Sequence, residues 1–184
     1  MKNLKNLVLN LQPYNFITVK PDYYSFITNS GCEYHCYFFA FDTAVSAYPN
    51  LATKVFGFNL ELKVKPITAI GLDKRIAATV VTILKEFLNK EENAVVYICD
   101  NSDQREKARF HKFTNWFTTY NPGNIIQLKG VIRAGNTNIL NAMLIHKDNP
   151  EINQFIEAYE ILTGIYTKPD DEELQNILND DGDW

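Results

Sequence analysis

The chain has 184 residues, of which 46% are hydrophobic, 13% aromatic and 22% charged. This composition excludes a globally disordered chain, because such chains lack the apolar residues that fill a core. No apolar run approaches the roughly 20 residues that cross a bilayer, so we expect no membrane partner. The length favours one domain, and no small-residue cleavage site follows the short apolar stretch at the start. We therefore expect no signal peptide and a cytoplasmic protein.

The net charge of −4 is distributed unevenly along the chain. Residues 170–184 contain seven acidic residues and no Lys or Arg. The other 15 acidic residues are outnumbered by 18 basic ones, so the rest of the chain carries a charge of +3. This asymmetry predicts a single domain over residues 1–166 and a distinct acidic, amphipathic tail over residues 167–184.

Short runs of β-branched and aromatic residues fill the first third of the chain. Asn29-Ser30-Gly31 is typical of a hairpin turn. Residues 54–65 alternate between apolar and polar side chains, which predicts a strand with one buried side. Residues 43–53 have a mixed composition and are expected to form a connection. The predicted strands in this part span residues 14–19, 23–28, 32–42 and 54–65.

Helices and strands alternate in the rest of the chain. Asp73 is the expected N-cap of a first helix with a broad apolar face. A second helix is predicted over residues 104–120, and a third begins with Pro150 at its first position and ends at Gly164. A buried strand and a hairpin are predicted over residues 94–99, 124–133 and 137–146. The order predicts an α+β fold: a mostly antiparallel sheet with about three helices, largely on one face, plus the acidic C-terminal tail.

A polar corner is predicted where the buried strand 94–99 leads into the second helix. Asp103 and Glu106 have the spacing of a capping box, in which the two side chains bond each other's backbone amides. Four further side chains fall within about 60° of one another on the second helix at 100° per residue. We define the polar corner as Asp100, Asp103, Arg105, Arg109, Lys112 and Trp116.

Two interpretations of the polar corner remain open. Its basic side chains could bind phosphate or a nucleic-acid backbone, with Trp116 as a stacking surface. Alternatively, Arg105 and Arg109 pair with Asp73, Asp100 or Asp103 and only stabilise the corner. We favour the structural interpretation, because nearby carboxylates repel a phosphate.

No catalytic motif is recognisable in the sequence, which has no Gly-rich phosphate loop and no nucleophile elbow. Asp100 and Asp103 could ligate a divalent cation, but a third ligand is missing. His111 points to about the opposite side of the second helix, and His146 is a lone histidine that we expect at the surface. The sequence therefore predicts no catalytic residue and no cofactor, and an enzyme is the less favoured class.

Cys32, His35 and Cys36 are spaced closely enough to suggest a zinc site. On a strand, however, the two cysteines lie about 13 Å apart and the histidine faces the other side. No second ligand pair exists elsewhere. We interpret these cysteines and Cys99 as buried structural thiols of a reducing compartment and predict no metal site.

Several of these residues together resemble a known pattern. The chain is similar to a bacterial family of unknown function over roughly residues 14–163, which leaves out the tail. The resemblance is most specific at residues 97–117 and implies no activity, cofactor or partner. The residues that carry it are Tyr24-Ser25-Phe26-Ile27-Thr28, Gly31, Tyr34, Asp73-Lys74-Arg75-Ile76, Tyr97-Ile98-Cys99-Asp100, Asp103, Arg105, Arg109, Phe113, Trp116 and Phe117.

The tail has the features of a partner-binding peptide. Its apolar residues at i, i+3 and i+4 would share one side of a short helix. Acidic residues follow them, and an aromatic residue ends the sequence. We predict that Leu174, Ile177, Leu178, Asp180, Asp181, Asp183 and Trp184 contact a partner.

Two functional hypotheses follow from the sequence. The first is a non-enzymatic interaction or regulatory protein, of the antitoxin, immunity or defence-accessory type, that binds another protein through its acidic tail and a sheet edge. The second is a nucleic-acid or nucleotide-phosphate binder, or a hydrolase, that uses Arg105, Arg109, Lys112 and Trp116. The net charge of −4 argues against strong nucleic-acid binding by the intact chain. A homo-oligomer is compatible with either hypothesis.

Overall fold

A computed structural model describes residues 11–66, 73–99, 103–121, 123–134 and 137–164. The strands in this part of the chain are β1 (Phe16–Lys20), β2 (Tyr23–Ile27), β3 (Glu33–Ala40), β4 (Val55–Val64), β5 (Ala94–Ile98), β6 (Ile125–Ala134) and β7 (Thr137–His146). The helices are α1 (Lys74–Phe87), α2 (Glu106–Tyr120) and α3 (Ile152–Thr163). Two short 3-10 helices, Asp42–Val45 and Pro49–Leu51, occupy the connection between β3 and β4.

The seven strands form one sheet in the order β1-β2-β3-β4-β5-β7-β6. Neighbouring strands are antiparallel except β4 and β5, which are parallel and have α1 between them in the chain. A parallel pair requires such a crossover, because the chain must return to the same end of the sheet. The prediction of a mostly antiparallel α+β fold with three helices is confirmed.

Helices α1 and α2 pack on one face of the sheet and form its main core. The Asp73 side chain accepts a hydrogen bond from a first-turn amide of α1 at 2.9 Å, as expected of an N-cap. Phe87 of α1 stacks on Phe38 of β3 with ring centroids 3.7 Å apart. Phe110 and Phe117 of α2 are buried in the same cluster.

Helix α3 packs on the opposite face but covers only half of it. Residues on β5 and β7 that alternate with those of the main core point to this side. They form a second core cluster with Phe155 and Tyr159 of α3 and with residues of the 3-10 helices. This cluster includes no residue of β1, β2 or β3. We call the corresponding surface of β1–β4, opposite α1 and α2, the open face.

The start of α2 differs from the sequence prediction. The helix begins at Glu106 with Arg105 as its N-cap, and no side chain caps it. Gln104 has a φ of 59°, which lies outside the helical region, so the helix cannot begin before it. The predicted capping box of Asp103 and Glu106 is therefore wrong. The Asp103 carboxylate instead accepts a hydrogen bond from the Arg105 amide at 3.2 Å.

The start of α3 also lies later than predicted. The helix begins at Ile152 with Glu151 as its N-cap, so Pro150 is not the first helical residue. Asn149 holds this turn, because its side-chain oxygen accepts a hydrogen bond from the Glu151 amide at 2.8 Å. The helix ends at Gly164, as predicted, with a φ of 61° that favours glycine.

A buried polar network connects α3 to the sheet. The Tyr159 hydroxyl donates to the side-chain oxygen of Asn141 at 2.7 Å. The Asn141 amide nitrogen in turn donates to the carbonyls of Gly130 and Ile139, both at 3.1 Å. Tyr159 and Asn141 are both fully buried, so no water can replace a lost partner.

We expect Tyr159→Phe to lower the free energy of unfolding by about 1–3 kcal/mol, because it leaves the Asn141 oxygen buried without a donor. Urea denaturation measures this change. The matched control is Tyr120→Phe, which removes an exposed hydroxyl that donates to the Lys74 carbonyl at 3.4 Å. Equal effects of the two substitutions would contradict the importance of the network.

The three cysteines are buried free thiols in the described part of the chain. Cys36 and Cys99 belong to the main core beneath α1 and α2. Burial raises the pKa of the Cys36 thiol to about 12 and that of Cys99 to about 12, because the apolar surroundings disfavour the thiolate. Buried protonated thiols are poor nucleophiles.

We expect the native protein to react slowly with a thiol reagent at about pH 8, where an exposed cysteine is readily modified. Denaturant should release all three thiols. Because burial raises the folded-state pKa of Cys36 and Cys99 above the unfolded value of about 8.5, the folded state retains these two protons as the pH rises above that value. These two thiols therefore contribute a loss of stability between about pH 8.5 and pH 12, measurable by denaturation at increasing pH. Rapid native labelling would contradict this.

Candidate functional site

The open face presents side chains from four adjacent strands. Residues directly opposite each other in a sheet point to the same side, and the register shows three such rows. Tyr23 lies opposite Tyr37, and Ser25 lies opposite His35. The residues of the open face are Ile17, Lys20, Tyr23, Ser25, Ile27, Glu33, His35, Tyr37, Phe39, Asn59 and Glu61.

A hydrogen-bonded chain crosses the open face through His35. Its Nε2 lies 2.7 Å from a Glu33 carboxylate oxygen, which only accepts when ionised, so the ring N–H donates. The other ring nitrogen, Nδ1, then accepts from the Tyr23 hydroxyl at 2.6 Å. Ser25 also donates to Glu33, at 3.4 Å. These contacts give each of the four strand residues a hydrogen-bond partner and hold their side chains in place.

Aromatic rings continue from this network along β3. Tyr23 and Tyr37 stack with centroids 5.3 Å apart and planes 6° apart. Tyr37 contacts Phe39 at 6.3 Å between centroids, and Asn59 donates a hydrogen bond to the Tyr37 hydroxyl. Phe39 lies over Gly57, where a Cβ atom would come within 2.2 Å of its ring. The glycine thus allows the ring to lie flat on the sheet.

Aliphatic side chains complete the open face at its β1 and β2 side. Ile17 and Ile27 are 67% and 62% exposed, and Phe39 at the other end is 47% exposed. Ile17 lies opposite Ser25 and so diagonal to Ile27. Apolar surface therefore extends from the two isoleucines across the tyrosine stack to Phe39.

The chemistry of the open face favours binding over catalysis. The Tyr23 hydroxyl, the His35 ring and the Glu33 carboxylate follow one another in the same order as the nucleophile, the base and the orienting acid of an activated nucleophile. They stand on a sheet surface, however, whereas small-molecule sites are concave. Exposed tyrosine rings and aliphatic side chains are instead the residues that dominate protein interfaces.

The free edge of β1 is less suited to pairing with another strand. A register shift between Thr18 and Lys20 interrupts its pairing with β2. Such bulges twist an edge strand, and a lysine near its end adds a charge that opposes strand addition. The accessible feature of β1 is therefore its exposed side chains rather than its backbone.

The structure brings three residues of the predicted polar corner together at the start of α2. Asp103 accepts a charged hydrogen bond from the Arg109 guanidinium and a further one from the Arg105 amide. The Arg109 contact holds the pKa of the Asp103 carboxyl below its usual value. Arg109 therefore serves an ion pair, as the structural interpretation of the corner expects. Asp100 lies outside the described residues.

The other two residues of the polar corner interact with each other further along α2. The Lys112 ammonium lies 5.0 Å from the centre of the Trp116 ring, a cation–π contact. Trp116 also packs against Phe113 at 5.2 Å and is partly buried against the main core. The indole is thus engaged on the protein side, which reduces the ring surface left for stacking on a base.

Several predicted site residues lie outside the described residues. All the predicted partner contacts of the tail do: Leu174, Ile177, Leu178, Asp180, Asp181, Asp183 and Trp184. Their role stays a prediction, as does the division into a domain over residues 1–166 and a tail over residues 167–184.

The suggested zinc ligands point in different directions. Cys36 faces the main core, whereas His35 faces the opposite side and bonds Tyr23 and Glu33. Cys32 is buried beside the hairpin turn, where its amide donates to the Thr28 hydroxyl at 3.0 Å. These three residues therefore do not converge on a common point.

A different group has the ligand types of a metal site. His146 Nδ1 lies 3.8 Å from carboxylate oxygens of both Glu91 and Asp148. The expectation that His146 is a surface residue is wrong, since it is only 8% exposed at the end of β7. Its Nδ1 already accepts a hydrogen bond from the Asp148 amide at 3.2 Å. A cation here would have to displace that bond.

A shallow groove lies between α1, the end of α2 and the segment before β1. Its volume of about 230 Å³ is below the range of about 300–1,000 Å³ that is usual for ligand sites. Lys85 and Tyr120 are the titratable residues of its lining, and they do not form an acid–base pair. The lining residues are Leu11, Gln12, Pro13, Ala78, Val81, Thr82, Lys85 and Tyr120.

Sequence reasoning missed the open face as a candidate site. The signal was present in β3, which has apolar residues on both of its sides. Tyr34, Cys36 and Phe38 would be buried on one side. Tyr37 and Phe39 place aromatic rings on the other side. A strand with aromatic residues on both sides predicts that other elements cover both faces of the sheet at that strand. Only the position of α3 shows that the described elements cover just one of these faces at β3.

In the part of the chain that the structure describes, no helix has the length and hydrophobicity needed to span a bilayer. No curated protein and no solved structure matches the chain. A family match begins just before α1 and ends within α3, so it includes the polar corner and leaves out β1–β4. Residues 72–161 match the sequence model of a family of unknown function (DUF6169).

Proposed function

We propose that the chain is a protein-interaction module that recognises a partner protein through its open face. The observation that carries this proposal is the exposure of Ile17 and Ile27 beside a stack of tyrosine rings. Single exposed isoleucines are ordinary, but a connected apolar and aromatic surface is typical of an interface. Covering it would remove apolar area from water and stabilise the complex.

The ordered polar groups of the open face support the same function. The chain of bonds from Tyr23 through His35 to Glu33 holds these side chains in one arrangement before a partner binds. Preorganised side chains lose less conformational entropy on binding than mobile ones.

A protein of this kind acts by occupying its partner and requires no catalytic group. This agrees with an antitoxin, immunity or defence-accessory role, in which a bound protein is inhibited, neutralised or positioned. We assign the acidic tail a second contact with the same partner. The +3 charge of the remaining chain supports a tail that acts as a separate acidic peptide.

The alternative of nucleic-acid or phosphate binding by the polar corner has less support. Arg109 is neutralised by Asp103, and Lys112 contacts Trp116. A phosphate would have to compete with the Asp103 carboxylate for Arg109. If the alternative were correct, the chain without residues 169–184 would bind nucleic acid in a salt-sensitive manner, and Arg109→Ala would weaken that binding.

We expect the double substitution Ile17→Glu/Ile27→Glu to abolish partner binding, because it places two charges in the apolar part of the interface. The measurement is quantitative mass spectrometry of proteins that co-purify with the tagged chain from its native host. Thermal denaturation should remain cooperative, since both side chains are exposed.

The matched control for this experiment is Ile161→Glu. Ile161 lies on α3 and is 60% exposed, close to the exposure of Ile27, but it is not part of the open face. It should retain every partner of the wild-type chain. Equal retention of partners by the double variant would contradict the proposed function.

We expect deletion of residues 169–184 to weaken partner binding while the remaining domain still unfolds cooperatively, because the tail is assigned a contact outside the sheet. The same co-purification measurement, with denaturation as the test of folding, checks this expectation. Unchanged binding after the deletion would show that the tail makes no contact with the partner.

A further inference from the structure

We propose that Glu91, His146 and Asp148 bind one divalent transition-metal ion, with Zn²⁺ as the best match. Ligand atoms of the three side chains lie within 4.8 Å of one another. Atoms at such separations share a central point no more than about 2.8 Å from each, and zinc binds nitrogen and carboxylate oxygen at about 2.0–2.2 Å. The Glu91 and Asp148 side chains are 54% and 61% exposed, so they can make the small inward movement that completes the coordination.

The Nδ1 atom of His146 presents a lone pair towards the two carboxylates. The Asp148 amide donates a hydrogen bond to this nitrogen at 3.2 Å, so in the neutral ring the proton is on Nε2. Carboxylate oxygens of Glu91 and Asp148 lie 3.8 Å from Nδ1, which is too long for hydrogen bonds. Three electron-rich atoms thus face one another, and a cation at their centre would stabilise this arrangement.

The cation would take the place of the Asp148 amide at Nδ1. Asp148 lies in an exposed turn directly after β7, so water can accept the hydrogen bond of the displaced amide. Exchanging one partner of an exposed amide for water costs little, because only a buried donor without a partner pays the full desolvation penalty. The existing bond therefore fixes the tautomer that a metal requires without blocking the site.

A buried oxygen beside His146 gives independent support for a bound ion. Continuing the pairing of Ala94 with Ile145 by one residue sets Asn93 opposite His146, and residues in such a pair point to the same side. Asn93 is only 4% exposed, and its Oδ1 has no hydrogen-bond partner among the residues that the structure describes. An ordered ion or water is a usual partner of such an atom.

The order of the strands places Asn93 on the Nδ1 side of the His146 ring. Strand β7 lies between β5 and β6. On the β6 side, the side-chain nitrogen of Asn124 lies 3.3 Å from Nε2. Nδ1 therefore faces the loop that leads into β5, which carries both Glu91 and Asn93. From there Asn93 can supply a fourth oxygen to the metal, directly or through a bound water.

Hydrogen bonds hold the two ligand-bearing segments together. Asn149 is buried, and its side-chain nitrogen donates to the Glu91 carbonyl at 2.7 Å. The Asn149 amide donates to the His146 carbonyl at 3.0 Å. The loop before β5 and the turn after β7 are thus fixed relative to each other. Only the side chains have to move when the metal binds, which lowers the entropic cost of binding.

The ligand types decide which metal the site prefers. Mg²⁺ and Ca²⁺ take oxygen ligands, so an imidazole nitrogen disfavours them. Histidine with carboxylates is a usual donor set for Zn²⁺, and three protein ligands leave a position for water. These residues lie outside the open face, so the metal site and the proposed function can fail independently.

Titration with Co²⁺ of the untagged, metal-free full chain tests the site, because cobalt replaces zinc and absorbs visible light more strongly when four- or five-coordinate. We expect saturation at one ion per chain, displacement by Zn²⁺, and no displacement by a large excess of Mg²⁺ or Ca²⁺. Absence of saturable binding would overturn the inference. Displacement by Mg²⁺ would overturn the role of His146, and a sulfur-to-cobalt absorption band would show binding to cysteine instead.

Substitution of the exposed ligands tests the location of the metal. Glu91→Gln and Asp148→Asn should each weaken Co²⁺ binding by more than about tenfold, since even residues outside the ligand shell contribute about 10–100-fold. The matched control is Glu92→Gln, which removes the same charge from the same loop but contacts Lys90 at 3.4 Å. It should bind Co²⁺ like the wild type. Undiminished binding by both ligand variants, or an equal loss in the control, would overturn the inference.

Thermal denaturation gives a second readout that does not depend on cobalt. Zn²⁺ at about 100 times its dissociation constant should raise the Tm of the wild-type chain by about 5–10 °C, because the metal binds the folded state. The double variant Glu91→Gln/Asp148→Asn should fold in the absence of metal and show no such rise. An equal rise in the double variant would place the zinc elsewhere on the chain and overturn the inference.

Discussion

The parallel pairing of β4 with β5 is the constraint on which the rest of this structure depends. It joins an antiparallel half, β1–β4, to a second half that contains β5, β7 and β6. The crossover contains α1, which packs on one face of the sheet, as a parallel connection requires. Phe87 then reaches Phe38 on the β3 side of this junction, so one continuous core extends beneath both halves.

The same pairing determines where the second face is covered. Because α3 follows β7, it packs beside the strands at the far side of the junction, where Tyr159 bonds Asn141. The 3-10 helices after β3 fill the space next to it. The outer surface of β1, β2 and β3 is left to the tyrosine stack, the His35 network and the exposed isoleucines. Its exposure follows from topology, because the described chain places no third layer there.

At the polar corner, the sequence pattern correctly indicated which side chains share a side of α2, but the role of these side chains differs from the anion site that the pattern suggested. Helical spacing places Arg109 and Lys112 on a common side of α2, which suggested an anion site. The left-handed backbone at Gln104 delays the helix and leaves Asp103 ahead of it, where it pairs with Arg109. Sequence spacing indicates which side chains share a side, but it cannot show which of them a neighbouring carboxylate already binds.

The sequence by itself determined the elements of this protein and their order. Alternation in β4, the apolar face of α1 and the turn at Gly31 are local properties of the chain, and local properties fix strands, helices and turns. The register that unites Tyr23, His35 and Glu33, and the side on which α3 packs, depend on contacts between residues far apart in sequence. Only the tertiary structure decided them, because a periodic pattern distinguishes the two sides of a strand without showing which side the helices cover.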